Sequence, residues 1–164
     1  MTELKTTRLT LRLPTLDDWP AYRDFYMSEA SASVGGPLPL KEAWTLFASD
    51  AGHWALHGYG WFVLHDATGP VGTCGIHFPP RHADVEIGWN TFASGQGKGY
   101  ATEAAHAVLD WAPSVIGDQP IVSYIGRDNA ASRRVAEKLG ATDSGKAPAH
   151  NDDCTVWIHK GGRP

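Results

Sequence analysis

Gln96-Gly97-Lys98-Gly99-Tyr100-Ala101-Thr102-Glu103-Ala104 is the stretch whose reading decides the fold. Two glycines bracket a lysine ahead of a run of helix formers, and the strand-like Asp84-Val85-Glu86-Ile87-Gly88-Trp89-Asn90 precedes them. Glycine lets backbone N–H groups turn toward one point, and a helix behind them adds the positive end of its dipole. Bare backbone at Gly97 and Gly99 allows close approach, so the stretch predicts an anion cradle suited to a pyrophosphate. Two other glycine loops are excluded. The pattern G-x-G-x-x-G would begin at Gly95 and Gly97 but meets Tyr100 at its third glycine, and G-x-x-x-x-G-K-[ST] does not occur. Taken alone, the glycines are equally compatible with a tight turn that holds no ligand.

Working outward, Leu9-Thr10-Leu11-Arg12-Leu13 alternates with period two and predicts a half-buried first strand, ended by Pro14. Thr15 and Asp18 make a T-x-x-D capping box, and Leu16, Trp19, Tyr22, Phe25 and Tyr26 fall on one helical face behind it. After Gly35-Gly36-Pro37 a second helix is expected over about Lys41 to Ala51. Gly60 to His65 and Val71 to Ile76 form a hairpin around Thr68-Gly69, and Asp84 to Asn90 is a further strand. The helix opened by Tyr100 is expected to stop near Pro113, and Ile121 to Ile125 is a buried-strand run. Asn129 caps a helix that Gly140 ends, and Thr155 to His159 closes the order as a last strand. A hairpin demands antiparallel pairing and a strand-helix-strand unit demands a parallel pair. The fold class is therefore α/β with a mixed sheet flanked by about four helices.

With 164 residues the chain fits one domain, 1–164, large enough for a proper core. A hydrophobic content of 42% and a charged content of 20% argue against disorder. The formal charge of −4 disfavours a nucleic-acid or anionic-membrane partner. Cys74 and Cys154 make neither a disulfide framework nor a zinc site. The first twelve residues lack the apolar centre of a signal peptide, and no window approaches ~20 uninterrupted apolar residues. A cytoplasmic location is the expectation.

Gln96-x-x-Gly99-x-Ala101 resembles the [RQ]-x-x-G-x-[GA] acyl-CoA pyrophosphate motif of the GNAT N-acetyltransferase superfamily. Gly97 to Ala104 is similar to its RimJ/RimL-type branch, and Asn129 to Gly140 resembles its N-x-x-S-x-x-x-x-x-K-L-G segment. The resemblance implies a GNAT-like fold and acetyl-CoA as co-substrate; separately, no metal is expected. It implies cofactor contacts at Gln96, Gly97, Lys98, Gly99, Tyr100 and Ala101 for the pyrophosphate. Thr91 would meet the pantetheine arm between two splayed parallel strands, and Asn129 and Ser132 the pantetheine or thioester end. Asn129 and Ser132 also have a plain reading as N-cap and N3 of a helix. The implied acceptor is a primary amine of a small molecule or a protein N-terminus, and a homodimer is compatible with the family.

Acetyl transfer needs a base for the amine and a proton for the leaving thiolate. Glu86 is the candidate base, because alternation puts it opposite Val85, Ile87 and Trp89. A solvated strand glutamate is the plain alternative. Many relatives place a tyrosine acid on the last helix where this chain has Ala136, which leaves Ser132, Tyr124 or water for that role. Trp19, Tyr22 and Phe25 read as core, whereas Trp54, Tyr59 and Trp61 stand in a glycine-punctuated stretch and are expected to line the acceptor pocket. His53 and His57 are four apart, but no third metal ligand accompanies them. The competing class is a non-catalytic acyl-CoA-binding or regulatory module.

Overall fold

The computed structural model describes residues 2–159. Met1 and residues 160–164, the ends of the 1–164 domain expected from sequence, lie outside the described residues. Eight strands form one sheet: β1 (Glu3–Lys5), β2 (Thr10–Arg12), β3 (Trp61–Asp66), β4 (Gly69–His77), β5 (Val85–Thr91), β6 (Ile121–Gly126), β7 (Thr142–Asp143) and β8 (Cys154–Ile158). Their order is β1-β2-β3-β4-β5-β6-β8-β7. Every neighbour is antiparallel except β5 and β6, whose crossover runs through α3 (Tyr100–Trp111) and α4 (Pro113–Ile116). This is the mixed sheet that the sequence order requires.

The parallel pair is short. Only Val85↔Ile121 and Glu86↔Val122 are in register, and beyond them β5 and β6 part. Ser123 stands in the opening, where its hydroxyl donates to the Ile87 carbonyl at 2.7 Å. That proton being spent, His159 Nε2, 2.9 Å from the same oxygen, must carry its own proton and donate it. Burial lowers the His159 pKa to about 4, which keeps the ring neutral.

Two hydrophobic clusters hold the helices to the sheet. The larger packs Phe62, Leu64, Cys74, Ile76, Val85, Ile87 and Trp89 against Ala104, Ala105 and Val108 of α3. The smaller joins Tyr22, Phe25 and Tyr26 of α1 (Trp19–Tyr26) to Ala43 and Phe47 of α2 (Leu40–His57) and to Phe92. Tyr22 and Phe25 are buried and Trp19 packs partly buried against them, in line with the core reading. The Thr15/Asp18 capping box forms, although it opens a 3-10 turn ahead of α1. Asp18 is fully buried and accepts from Arg12 Nη2 and His65 Nε2, each at 2.9 Å.

Three differences from expectation have local causes. The second helix runs on past Ala51, because Gly52 costs only about 1 kcal/mol in a helix and the turn beyond it buries Trp54. It ends at Gly58, in the left-handed region at φ +75, whose N–H donates to the Trp54 carbonyl at 2.9 Å. Pro113 opens α4 as its first residue, where a missing N–H costs no hydrogen bond. The edge strands β1 and β7, three and two residues long, are too short for periodicity to mark them: β1 has Leu4 alone to pack on the larger core and β7 has no apolar residue.

Candidate active site

Alternation along β5 sends Val85, Ile87 and Trp89 into the larger core and leaves Glu86, Gly88 and Asn90 for the opposite face. The register of the neighbouring strands then assembles a constellation on that face. His77 of β4 is the direct cross-strand partner of Glu86, while Trp61 of β3 pairs with Gly75, which pairs with Gly88. The indole of Trp61 lies over Gly88, where a Cβ would collide with the ring. Trp61 Nε1–H donates to His77 Nδ1 at 2.6 Å. Indole nitrogen can only donate, so His77 Nδ1 is unprotonated and its Nε2–H donates to Glu86 Oε2 at 2.7 Å. The chain Trp61–His77–Glu86 thus orients the carboxylate without any charged histidine.

His82 Nδ1 stands 3.3 Å from the same carboxylate oxygen. Burial lowers the His82 pKa to about 4, so the ring is neutral, and it stacks on His150 with centroids 4.6 Å apart. The ligand-type atoms of His77, His82 and Glu86 lie within 4.8 Å of one another. A metal on His77 Nε2 would have to displace the proton that the Trp61 bond places there, which leaves an imidazolate or breaks the indole bond. The geometry suits proton handling rather than metal ligation.

These groups open into a cavity of about 450 Å³. Its wall includes Tyr26, Asp50, Trp61, Glu86, Asn129 and Ser132. α5 (Ala130–Lys138) supplies the last of these, and Asn129 Oδ1 accepts the Ser132 N–H at 3.0 Å as its N-cap. Tyr124 also lines the cavity, and burial raises its phenol pKa, keeping it protonated. Ala136, by contrast, is fully buried in the larger core. Asp50 of α2 accepts the Tyr22 hydroxyl at 2.7 Å, and burial pushes its carboxyl up to about 6.

Asp50, His77 and His82 were not among the residues singled out from sequence. Asp50 had a legible signal, since Ala43, Phe47, Asp50 and Trp54 fall on one helical stripe and an acid in an apolar stripe is an exception to its pattern. His77 and His82 had none, because cross-strand register and loop return are not written in local periodicity.

Two of the three aromatics expected in the pocket lie elsewhere. Trp54 is 9% exposed, packs on Phe62 and Trp111, and donates from Nε1 to the Trp61 carbonyl at 2.8 Å. The continuation of α2 past Gly52 carries it onto the core side. Tyr59 is also buried, beside His53 and His57, and neither aromatic is part of the cavity wall. Trp61 is. His53 Nδ1 faces the Tyr59 carbonyl at 2.7 Å and its Nε2 accepts the Phe78 N–H at 3.1 Å, so neither nitrogen is free to share a metal with His57.

The glycine turn lies outside that cavity wall, as does Thr91, which ends β5 opposite Gly72. Gln96, Gly97, Lys98 and Gly99 are exposed. Gly97 and Gly99 have φ of +73 and +78, a region that favours glycine. A Cβ on Gly97 would meet nothing within 4 Å, and one on Gly99 would meet only Arg8 Nη2 at 3.7 Å. The first backbone bond into α3 is Glu103 N–H to Gly99 O at 3.2 Å, so the amides of Tyr100, Ala101 and Thr102 are not used by the helix. Open backbone, unspent amides and a helix N-terminus fit an anionic phosphate group. Tyr100 anchors the turn through a buried ring whose hydroxyl donates to Asp66 at 3.0 Å, and Ala101 packs half-buried against the larger core. Arg8 ties the turn down, donating to the Lys98 carbonyl at 2.8 Å and from Nε to Glu103 at 2.7 Å.

Residues 8–142 match the model of an acetyltransferase (GNAT) domain. The crystal structure of an acetyltransferase from Agrobacterium tumefaciens str. C58 is 37% identical, with a TM-score of 0.90 over 97% of this chain and 94% of that one. The uncharacterised N-acetyltransferase YjdG of Bacillus subtilis (strain 168) is 36% identical over 69 residues, which are 42% of this chain and 41% of that protein. The match therefore spans less than half the length of that curated relative. The ribosomal-protein-S5-alanine acetyltransferase of Vibrio fischeri shares the fold, with a TM-score of 0.71 over 100% of both chains at 17% identity.

Proposed function

The chain belongs to the GNAT acetyltransferase family, and from that premise we propose that it transfers an acetyl group from acetyl-CoA to a primary amine of a small molecule or a protein N-terminus. The observation that carries this reading is Glu86, which sits at the last paired residue before β5 and β6 part and is oriented by His77 in the wall of the adjoining cavity. Acetyl-CoA supplies the acetyl group as a thioester. The amides and open backbone of Gly97 to Ala101 are suited to its phosphates, with Gln96 and Lys98 at the rim. The β6-facing edge of β5 from Gly88 to Thr91 has lost its strand partner and offers backbone groups to an extended arm. Asn129 and Ser132 face the same cavity as Glu86.

Glu86 accepts the proton that an ammonium must lose before its nitrogen can attack, and His77 Nε2–H holds the carboxylate in place. Ser132 Oγ or the Tyr124 hydroxyl holds the proton that the departing thiol requires. The resemblance of Gly97 to Ala104 to the RimJ/RimL-type branch supports a protein N-terminus among the acceptors, and a cavity of about 450 Å³ is of a size to hold a small molecule.

Thermal-shift titration with acetyl-CoA, CoA, NAD and ATP tests the donor assignment, because a ligand that binds only the folded state raises its midpoint. Stabilisation by the two CoA species alone is expected, followed by free-thiol release in an amine panel. No response to either CoA species refutes the reading. Binding without thiol release from any amine would identify an acyl-CoA-binding module.

A further inference from the structure

We propose that the acceptor site takes a small-molecule amine carrying a second positive charge, with Asp50 holding that charge while Glu86 serves the amine that reacts. The inference rests on the acetyl-transfer reading and adds its substrate class.

Asp50 and Glu86 come from different elements, α2 and β5, and stand in the wall of one cavity with Trp61 and His77. Glu86 is provided for: His77 donates to it and His82 flanks it. Asp50 is not. Its Oδ2 accepts the Tyr22 hydroxyl, and among the described residues no lysine, arginine or histidine nitrogen lies within 4.0 Å of its carboxylate. A half-buried carboxylate without a cation is costly, and proteins keep such groups where a ligand supplies the missing charge. With its pKa pushed up to about 6, Asp50 is still ionised at neutral pH.

The rest of the wall does not cancel this charge. Among its described residues the one arginine or lysine is Arg81, whose Nε lies 3.4 Å from His82 Nε2 and which makes no ion pair with Asp50. His82 itself is neutral. The aromatic rings of Tyr26 and Trp61 line the same space, and such faces attract ammonium and guanidinium groups. A neutral acceptor would leave Asp50 without a counter-charge, and an anionic one would be repelled by it. An alkyl diamine, or an amine whose second centre is a guanidinium, satisfies both carboxylates.

The test uses the full chain and a matched pair, 1,5-diaminopentane and pentylamine, with acetyl-CoA and free-thiol detection. The wild type is expected to prefer the diamine by at least tenfold in kcat/KM, the scale of one charge-assisted hydrogen bond. In Asp50→Asn that preference should collapse toward unity through a rise in KM for the diamine, and Asp50→Glu should restore part of it. Calorimetric titration of both amines into the CoA complex reads the same preference as binding if neither is acetylated. Equal handling of diamine and monoamine by the wild type, in turnover or in binding, overturns the proposal, as does a preference that survives Asp50→Asn. Failure of acetyl-CoA to stabilise the protein would instead remove the acetyl-transfer reading, so the two failures are separable.

Discussion

Replacing Asp50 by asparagine keeps the shape of the side chain and an oxygen for the Tyr22 hydroxyl while removing the charge. Burial is the largest cause that raises this carboxyl from 3.8 to about 6, offset in part by the Tyr22 hydrogen bond. About two pKa units at 1.36 kcal/mol each amount to roughly 3 kcal/mol, an upper bound because water in the cavity screens the group. The sign follows from proton binding. Between the unfolded and folded pKa values the native state holds more protons, so stability falls as pH rises through that interval. The contribution is fully present below 3.8 and lost above about 6. The variant carries no such dependence. At pH 7.5 Asp50→Asn should therefore be more stable than the wild type, by a midpoint difference of up to roughly 6–12 °C at the ~2–4 °C per kcal/mol typical of this chain length. At pH 4 the difference should nearly vanish. Differential scanning calorimetry of both proteins across this range reads the effect, and the other titrating groups cancel in the difference. A variant that is less stable at pH 7.5, or a difference independent of pH, would refute the claim that Asp50 is held charged at a cost in stability.

Three further outcomes are expected. Glu86→Gln should lower kcat by about 10²–10⁴ while leaving acetyl-CoA affinity within a few-fold, the usual worth of a positioned base; a proportional loss of both, by steady-state kinetics and calorimetry, would make Glu86 structural. Trp61→Phe keeps a ring over Gly88 but deletes the donor to His77 Nδ1, so nitrogen NMR of His77 should show mixed tautomers and kcat should fall about tenfold, the scale of one hydrogen bond. An unchanged tautomer would mean that another group sets it. Trp54→Ala should cost about 3–5 kcal/mol of stability and leave the diamine preference of the folded protein unaltered, because the ring is packed on Phe62 and Trp111 rather than in the cavity; altered acceptor kinetics would return Trp54 to the pocket.

Asp50 as an unpaired charge and Glu86 as a supported one illustrate a general economy of binding sites. Stability lost at the first is recoverable only when a ligand is present, so the substitution that stabilises the empty protein is the one expected to impair its substrate choice. The Trp61–His77–Glu86 chain has the opposite character, since each of its protons is assigned to an acceptor.

The sequence by itself determined the features that are local. The alternation of Val85 to Asn90 placed Glu86 on the face away from the larger core, the T-x-x-D box closed on Thr15 and Asp18, and Asn129 capped its helix through Ser132. Gly97 and Gly99 take the left-handed backbone that their turn requires. Each of these depends on neighbours within about one turn of chain, which periodicity and capping chemistry report directly. The Asp50 signal was local too, an acid in an apolar stripe, although its sharing one cavity with Glu86 was not. Only the tertiary structure decided which residues join Glu86. His77 reaches it through the register of β4 on β5, Trp61 reaches His77 across two glycine positions in adjacent strands, and His82 returns from a loop. The same holds for Trp54 and Tyr59. Their glycine-flanked setting says that the chain turns, while the extra length of α2 decides which side of the sheet they meet. Pairing between strands is set by the summed packing of both faces, and no single window of sequence contains that sum.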